Sequence, residues 1–538
     1  MLHPMLEDWL SRRGWEAFAF QRQAWVAYAD GQSGLIHAPT GMGKTYAAWL
    51  AVVSEYLRET FSDATQSRSG SPDDVRRRDS VAALNKRNTF EPIRMLWLTP
   101  LRSLANDIAL SLAAPIDDLE LPCSVELRTG DSPSSLKAKQ RRRLPTALVT
   151  TPESLSLLLS YPEARQSFRT LRCVVVDEWH ELMGTKRGVQ TELALARLRH
   201  WLPGLRTWGL SATLGNLEQA HDVLLGHTPA DRQLIAGPDT KRIELRTLIP
   251  PDIERFPWYG HLGVKLVRPL IEAIDAAAST LVFTNTRSQA ELWFQALLRE
   301  APHLLGKIAL HHGSLDRKLR GSVEAMLASG ELKAVVCTSS LDLGVDFTPV
   351  DQVVQIGSPK GVARIMQRAG RSGHQPGKTS RVICIPTHAF ELVEFAAAQS
   401  AVAARRIEAR PPLRLAMDVL VQHLVTLAVG EGFDDSLLEE VRATHAFAEL
   451  TDEQWRWAID FVTRGGEALQ AYAHYRKVRR EGKTYRVTDP RIARMHRMTI
   501  GTITSDAAMS VRFVNGRTLG TIEESFIARL RAGDRFIF

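Results

Sequence analysis

Cysteine is scarce in this chain, and each one stands alone. Cys123, Cys173, Cys337 and Cys384 are the only four in 538 residues. With no CxxC spacing and no His pair nearby, they argue against a structural zinc site and a disulfide framework, and for a reducing, cytoplasmic setting. The N-terminal MLHPMLEDWLSRR has no signal-peptide apolar stretch, and no apolar run approaches a membrane span. Nor is the composition extreme: 44% hydrophobic and 24% charged residues are ordinary for a soluble globular protein. The length exceeds what one core supports, so three or four domains are expected. Lys and Arg outnumber Asp and Glu by 68 to 60, a tilt that suits a polyanionic partner without requiring one.

What is present is a repeated alternation. Short β-rich runs such as "GLIHAPTG", "IRMLWLTP", "TALVTTPE", "CVVVDEWHE" and "TWGLSAT" alternate with helical patterns. The same alternation restarts after Ala278 with "STLVFTNT", "GKIALHHG", "KAVVCTSS", "DQVVQIGS" and "SRVICIPT". It predicts two tandem α/β domains, each with a parallel sheet, at 1–232 and 233–410. A Ser-, Arg- and Asp-rich stretch at 62–92 reads as a disordered insertion in the first. After Pro411-Pro412, three helical periods and a Gly482 turn predict a winged helix over 411–490. Residues 491–538 turn β-like and end on "DRFIF", read as the start of an incomplete β-rich domain. On that reading, its exposed apolar edge promotes self-association.

Two stretches carry chemistry. "LIHAPTGMGKTYAAWLAV" orders a strand, a Gly-containing loop and a helix, the context of a phosphate-binding P-loop. Thr40 lies in that loop; Gly41 and Gly43 let backbone N–H groups turn toward phosphate oxygens. Lys44 supplies charge to the β- and γ-phosphates, and Thr45 offers a hydroxyl to Mg²⁺. Ala38 stands where the strict pattern has Gly. In "CVVVDEWHEL" a fully apolar strand runs into two adjacent carboxylates, which need a positive partner there. Asp177 is read as the Mg²⁺ carboxylate and Glu178 as the general base facing the γ-phosphate of ATP.

With these residues in place, the chain resembles superfamily 2 DExH-box helicases. Within them it looks most similar to the Lhr-type (large helicase-related) group that includes ligase-associated helicases. Ten motifs stand in register along nearly the whole chain. They are "FQRQAW", "APTGMGKT", "TPLRSLAND", "RTGD", "TTPESL", "DEWH", "SAT", "VFTNTR" with "HHGSLD" after it, "TSSLDLGVDF" and "QRAGRSGH". The resemblance implies two RecA-like domains followed by a winged helix, with ATP and Mg²⁺ between the first two. Gln21 then reads adenine, Gln367 positions water, and Asp346 reaches the ribose or the arginine finger. Arg371 is the finger, worth ~10³–10⁵ in rate, with Arg368 beside it as a further catalytic group. His374 stands where many relatives have Arg, either as a neutral donor to the γ-phosphate or as a spacer.

Polar groups at other loop tips suit a nucleic-acid backbone: Arg102, Ser103, Arg128, Thr129, Thr151, Arg287, His312, Thr338 and Ser339. Any one of them alone is as well explained by surface or capping roles. Residues 476–497 hold nine Lys and Arg against Glu481 and Asp489, with Tyr472, Tyr475 and Tyr485 nearby. Arg479 and Arg480 in this stretch are candidate phosphate contacts. The implied activity is 3′-to-5′ translocation on single-stranded DNA with unwinding of tailed duplexes or RNA:DNA hybrids in DNA repair. The implied partners include repair proteins such as a ligase; the protein is expected to be a monomer without membrane contact. An RNA helicase with the same motor, a DNA-binding adaptor and a duplex translocase stay open as alternatives.

Overall fold

The apolar runs become short parallel strands because β-branched and aromatic residues buried on both faces fit only between flanking helices. A computed structural model describes residues 2–66, 92–227, 231–238, 242–249, 266–315, 317–342, 350–373, 379–465, 477–500, 508–512 and 518–523. In the first domain the strands are β1 (Ser33–His37), β2 (Met95–Leu98), β3 (Val125–Arg128), β4 (Ala147–Thr150), β5 (Cys173–Val176), β6 (Arg206–Ser211) and β7 (Arg232–Ala236). They form one sheet in the order β3-β4-β2-β5-β6-β1-β7, with every neighbouring pair parallel. Leu35, Ile36, Leu96, Trp97, Val174 and Val175 are completely buried in it, each apolar side chain stabilising the fold by roughly 1.5–3 kcal/mol.

The second domain repeats the design with β8 (Ile243–Thr247), β9 (Thr280–Phe283), β10 (Ile308–His311), β11 (Ala334–Cys337), β12 (Gln352–Ile356) and β13 (Ser380–Ile385). Their order is β10-β11-β9-β12-β13-β8, again all parallel. The connection between the domains differs from the expected boundary at 232. It gives an edge strand to each side: β7 pairs with β1 of the first sheet, and β8 pairs with β13 of the second. The helix Lys44–Gln66 also runs five residues into the stretch read as an insertion; residues 67–91 lie outside the described residues.

Helices Met417–Val429, Leu437–Arg442 and Asp452–Arg464, with the hairpin β14 (Arg479–Glu481) and β15 (Thr484–Arg486), make the expected helices and wing. This module shares its core with the first domain, since Val189 and Leu193 of helix Lys186–Trp201 are buried among Leu420, Leu424 and Trp455. Helix Pro490–Thr499 continues it past 490. His496 reaches Thr426 at 2.9 Å, and Arg497 donates to the carbonyl of Ser160 in the first domain at 2.8 Å. Beyond it, β16 (Ala508–Arg512) and β17 (Thr518–Glu523) pair antiparallel, as the β-like pattern predicts. The terminal "DRFIF" lies outside the described residues. Among the described residues no helix is long and apolar enough to cross a membrane.

Candidate nucleotide site and nucleic-acid cleft

The first sheet presents its carboxyl-terminal strand ends to the chemistry, where open α/β sheets bind ligands. In the first sheet that edge is divided. The ends of β1, β5 and β6 carry the P-loop, Asp177 and Ser211. Those of β2, β3 and β4 carry Thr99, Thr129 and Thr151.

The nucleotide half is built on strained and buried groups. Gly41 and Gly43 have φ of +84° and +76°. A side chain at Gly43 would meet the Gln21 amide at 2.7 Å. That amide is already engaged at both ends: its oxygen accepts from Phe18 N at 2.9 Å and its nitrogen donates to Gly43 O at 2.9 Å. Gln21 therefore braces the P-loop. Lys44 opens the following helix and donates to Ala38 O and Pro39 O at 2.7 and 3.0 Å. Burial lowers its pKa, against the pull of Glu178 and Asp177, and the charge of Arg371 lowers it further. The P-loop cation, both acids and Arg371 thus sit within electrostatic reach of one another.

Asp177 Oδ1 accepts from Glu178 N at 2.8 Å and Oδ2 from Trp97 Nε1 at 3.3 Å. Burial, then the neighbouring Glu178, raises its pKa to about 7. Glu178 adopts a left-handed backbone, φ +45° and ψ +45°, a conformation that costs a non-glycine residue on the order of 1–3 kcal/mol and recurs at active sites. Its Oε2 is buried without a hydrogen-bond donor among the described residues. An acceptor in that state fits a water or hydroxyl brought by a ligand. Asp177 and Thr45, two oxygen ligands beside phosphates, fit a Mg²⁺ that keeps most of its waters.

The second domain reaches into this site. Gly370 lies against Thr40, where an added Cβ would come 3.4 Å from the Thr40 Cβ. Gln367 Nε2 donates to Glu181 Oε1 at 3.0 Å and faces His180 Nε2 at 2.7 Å. His180 Nδ1 lies 3.2 Å from Ser211 Oγ. The "DEWH", "SAT" and "QRAGRSGH" stretches are therefore joined through one imidazole. Arg371 is buried, and its charge is felt at Lys44. Arg368 does not stand free as a second catalytic arginine. Its Nε and Nη2 bind Asp342 at 2.7 and 3.2 Å, Nη1 binds Gln355, and its guanidinium lies 4.6 Å from the Phe283 ring. Every nitrogen serves the second domain's own core. Asp346 and His374 lie outside the described residues.

The other half of the edge opens on a cleft of about 910 Å³ walled by all three domains. Arg102, Thr129, Lys137, Thr151 and Arg187 line it from the first domain, Arg320 and Glu324 from the second, and Met498 and Ile500 from the last. Arg102 is exposed and paired with Asp131 at 2.8 Å. Arg128 differs from expectation: it is 1% exposed and holds Lys137 O at 3.1 Å, so it shapes the wall and offers little to a ligand. Thr151 caps helix Pro152–Leu159 through Ser154 N, and the Thr129 hydroxyl accepts from Asp131 N. The Ser103 side chain lies outside the described residues. Arg287 and His312 line a second depression of about 550 Å³ with Glu291, and Thr338 precedes the exposed Ser339 at the end of β11. On the wing Arg479 is exposed, whereas Arg480 pairs with Asp435 at 3.3 Å and covers the Tyr485 ring. Tyr472, Tyr475 and Arg476 lie outside the described residues.

Sequence reasoning missed Glu181, Arg187, Glu408 and Arg410. Arg187 pairs with Glu153 in the cleft wall, and Arg410 binds Glu181 at 3.2 Å. Only the adjacency of Glu181 to "DEWH" and of Arg410 to Pro411-Pro412 marked them in the sequence.

Comparison with known proteins agrees with this division. The DEAD/DEAH box helicase family model matches residues 18–220, and the helicase conserved C-terminal domain matches 265–375. The winged helix domain of large helicase-related proteins matches 400–538, taking in residues 491–538 as well. The ATP-dependent helicase Lhr-Core of Methanothermobacter thermautotrophicus is 32% identical, over 100% of this chain and 61% of its own length. The Lhr helicase/probable uracil glycosylase of Mycolicibacterium smegmatis is 30% identical, over 97% and 36%. The structure of Mycobacterium smegmatis helicase Lhr bound to ssDNA and AMP-PNP superposes with a TM-score of 0.78 at 28% identity, over 95% of this chain and 64% of that one. This chain spans 59–61% of the Lhr-Core proteins from Methanothermobacter, Thermococcus and Methanocaldococcus. With both motor domains, the winged helix and their order in common, the chain belongs to the Lhr-type superfamily 2 helicases.

Proposed function

We propose that this chain is an ATP-driven motor that translocates 3′ to 5′ on single-stranded DNA and unwinds tailed duplexes or RNA:DNA hybrids ahead of it. The observation that carries the reading is the divided strand edge. One half holds the nucleotide groups of both domains, and the other half shares a cleft with the second and third domains. Closing the domains on ATP then shifts Arg320 and Glu324 past Thr151 and Arg187, which moves a bound strand. The ssDNA in the Mycobacterium smegmatis structure supports DNA as the polymer.

In the chemical step Lys44 and Arg371 hold and neutralise the γ-phosphoryl group. Glu178, with an acceptor oxygen left open, orients the attacking water and takes its proton. Thr45 and Asp177 would hold Mg²⁺, which supplies Lewis-acid stabilisation of phosphate charge. Glu181, Gln367 and His180 keep the acid's helix in register with the second domain. A role in cytoplasmic DNA repair beside a ligase, as a monomer, belongs to the same reading.

The test is ATPase rate with single-stranded DNA, with RNA and with no polymer, followed by unwinding of duplexes bearing 3′ or 5′ tails. Stimulation by DNA and unwinding from 3′ tails supports the proposal. Stimulation by RNA alone establishes the RNA-helicase alternative, and binding without stimulation establishes the adaptor.

A further inference from the structure

The segment 407–410 leaves the second domain for the winged helix and touches both motor domains on the way. Glu408 accepts from Val362 N and Ala363 N at 3.1 Å each, at the start of helix Val362–Ala369 that ends beside Arg371. Two residues on, Arg410 Nη1 donates to His180 O at 2.6 Å and Nη2 to Glu181 Oε1 at 3.2 Å. The Arg410 backbone is itself clamped by Asn216, N–H to Oδ1 and O from Nδ2, both at 3.0 Å. Asn216 follows the "SAT" loop, and Gly215 has no side chain where one would collide with Ile407 O. Pro411 and Pro412 then carry the strap stiffly into the winged helix.

Its grip falls on the turn that most needs one. Helix Trp179–Leu182 has only four residues and begins at the left-handed Glu178. Such a backbone persists only when its surroundings over-determine it. One turn makes few hydrogen bonds of its own, so Arg410 supplies an outside hold. Glu181 Oε1 receives Gln367 from the second domain and Arg410 from the strap at once.

We propose that Arg410 is a positioning residue for ATP hydrolysis: it fixes the Trp179–Leu182 turn, and so the Glu178 carboxylate, and ties that setting to the winged helix. The proposal rests on the motor reading above. A linker that merely passed the site would need none of these bonds to the acid-bearing turn.

The experiment is steady-state ATP hydrolysis by the full chain with saturating single-stranded DNA, comparing unaltered protein with Arg410→Ala, Arg410→Lys, Glu181→Gln and Arg410→Ala/Glu181→Gln. Arg410→Ala should lower kcat by ~10- to ~100-fold, as small misplacements of a catalytic group do, with KM for ATP and DNA affinity unchanged. Arg410→Lys should recover part of the rate, and the double variant should be no slower than the slower single, since the two act as one unit. Unaltered kcat in Arg410→Ala, or a loss confined to KM, overturns the proposal. If Arg410→Ala does not fold, full kcat in Glu181→Gln overturns it equally. DNA-stimulated hydrolysis that Arg410→Ala retains sinks the strap alone, whereas no stimulated hydrolysis by the unaltered chain sinks the motor reading and the strap together.

Discussion

Gln367 Nε2 lies 2.7 Å from His180 Nε2, across the boundary between the two α/β domains. The amide nitrogen has only protons to offer and also donates to Glu181, so His180 Nε2 must accept. The imidazole proton then sits on Nδ1, directed at Ser211 Oγ. Burial lowers the His180 pKa, which keeps the ring in that neutral form. Gln367→Ala leaves a buried acceptor unpaired only when the domains are closed, a cost of roughly 1–3 kcal/mol to the closed state. Distance measurement between labels on the two domains should show less closure by a non-hydrolysable ATP analogue. Equal closure in both proteins would contradict this.

Lys44→Ala and Glu178→Gln should both stop turnover, by different routes. The first removes a phosphate contact and weakens nucleotide binding. The second removes the proton acceptor and leaves an ATP-loaded, strand-holding state. Glu178→Gly should be equally inactive yet more stable by about 1 kcal/mol, because glycine accepts φ +45° without strain. Nucleotide affinity, turnover and denaturant midpoints of the three proteins separate these outcomes.

Affinity for single-stranded DNA should fall steeply with salt and vary little with sequence, as phosphate contacts dictate. Arg479 is exposed on the wing, while Arg480 is shared with Asp435 and Tyr485. Arg479→Ala should flatten the log–log salt slope by about 0.7, and Arg480→Ala by less. Arg497 is held by Ser160 in the first domain; its loss should loosen the winged helix more than the salt slope.

The winged helix is fastened by a buried ion pair, Arg197 Nε to Glu440 Oε1 at 3.1 Å, with side chains 7% and 5% exposed. Breaking one side strands the other charge. Glu440→Ala should therefore cost about 3–5 kcal/mol, while Arg197→Met/Glu440→Leu should cost far less or stabilise. Urea unfolding of the three proteins checks it; a double variant as unstable as the single would contradict the argument.

Burial lowers the pKa of His37 and His496 to about 4 and of His423 to about 3. Unfolded, each titrates near 6.5. Below that pH the unfolded chain binds protons the native state refuses, so these residues make stability fall as pH drops from about 6.5 toward 4. Each contributes a slope of up to about 1.4 kcal/mol per pH unit. His423→Leu, removing one such group from the core, should make unfolding less acid-sensitive in that window.

The strands and the nucleotide motifs were legible because their signals are local. "CVVVDE" states burial and the acid pair within six residues, and a P-loop needs only its own backbone. Arg128 and Arg368 were misplaced for the opposite reason: nothing nearby in sequence says that Gln140 or Asp342 will enclose them. Thr151 read equally well as a cap, and a cap is what it is in the fold. Arg410 was invisible because its partners are 229 and 230 residues away. The edge strands β7 and β8 hid inside a stretch that composition marks only as a crossing.

The crossing between those strands sets a leash. Ala236 ends β7 and Ile243 begins β8, so seven Cα–Cα steps separate two points each sewn into a different sheet. At no more than ~3.6 Å per step, that leash is about 25 Å long at full stretch. The segment 407–410 is a second mooring, at the mouth of the nucleotide site. A body moored at two points can pivot about the line through them but cannot drift away. On the proposed reading, each stroke would be a swing of bounded arc, and the length of strand advanced per ATP would be limited by the moorings rather than by the depth of the cleft.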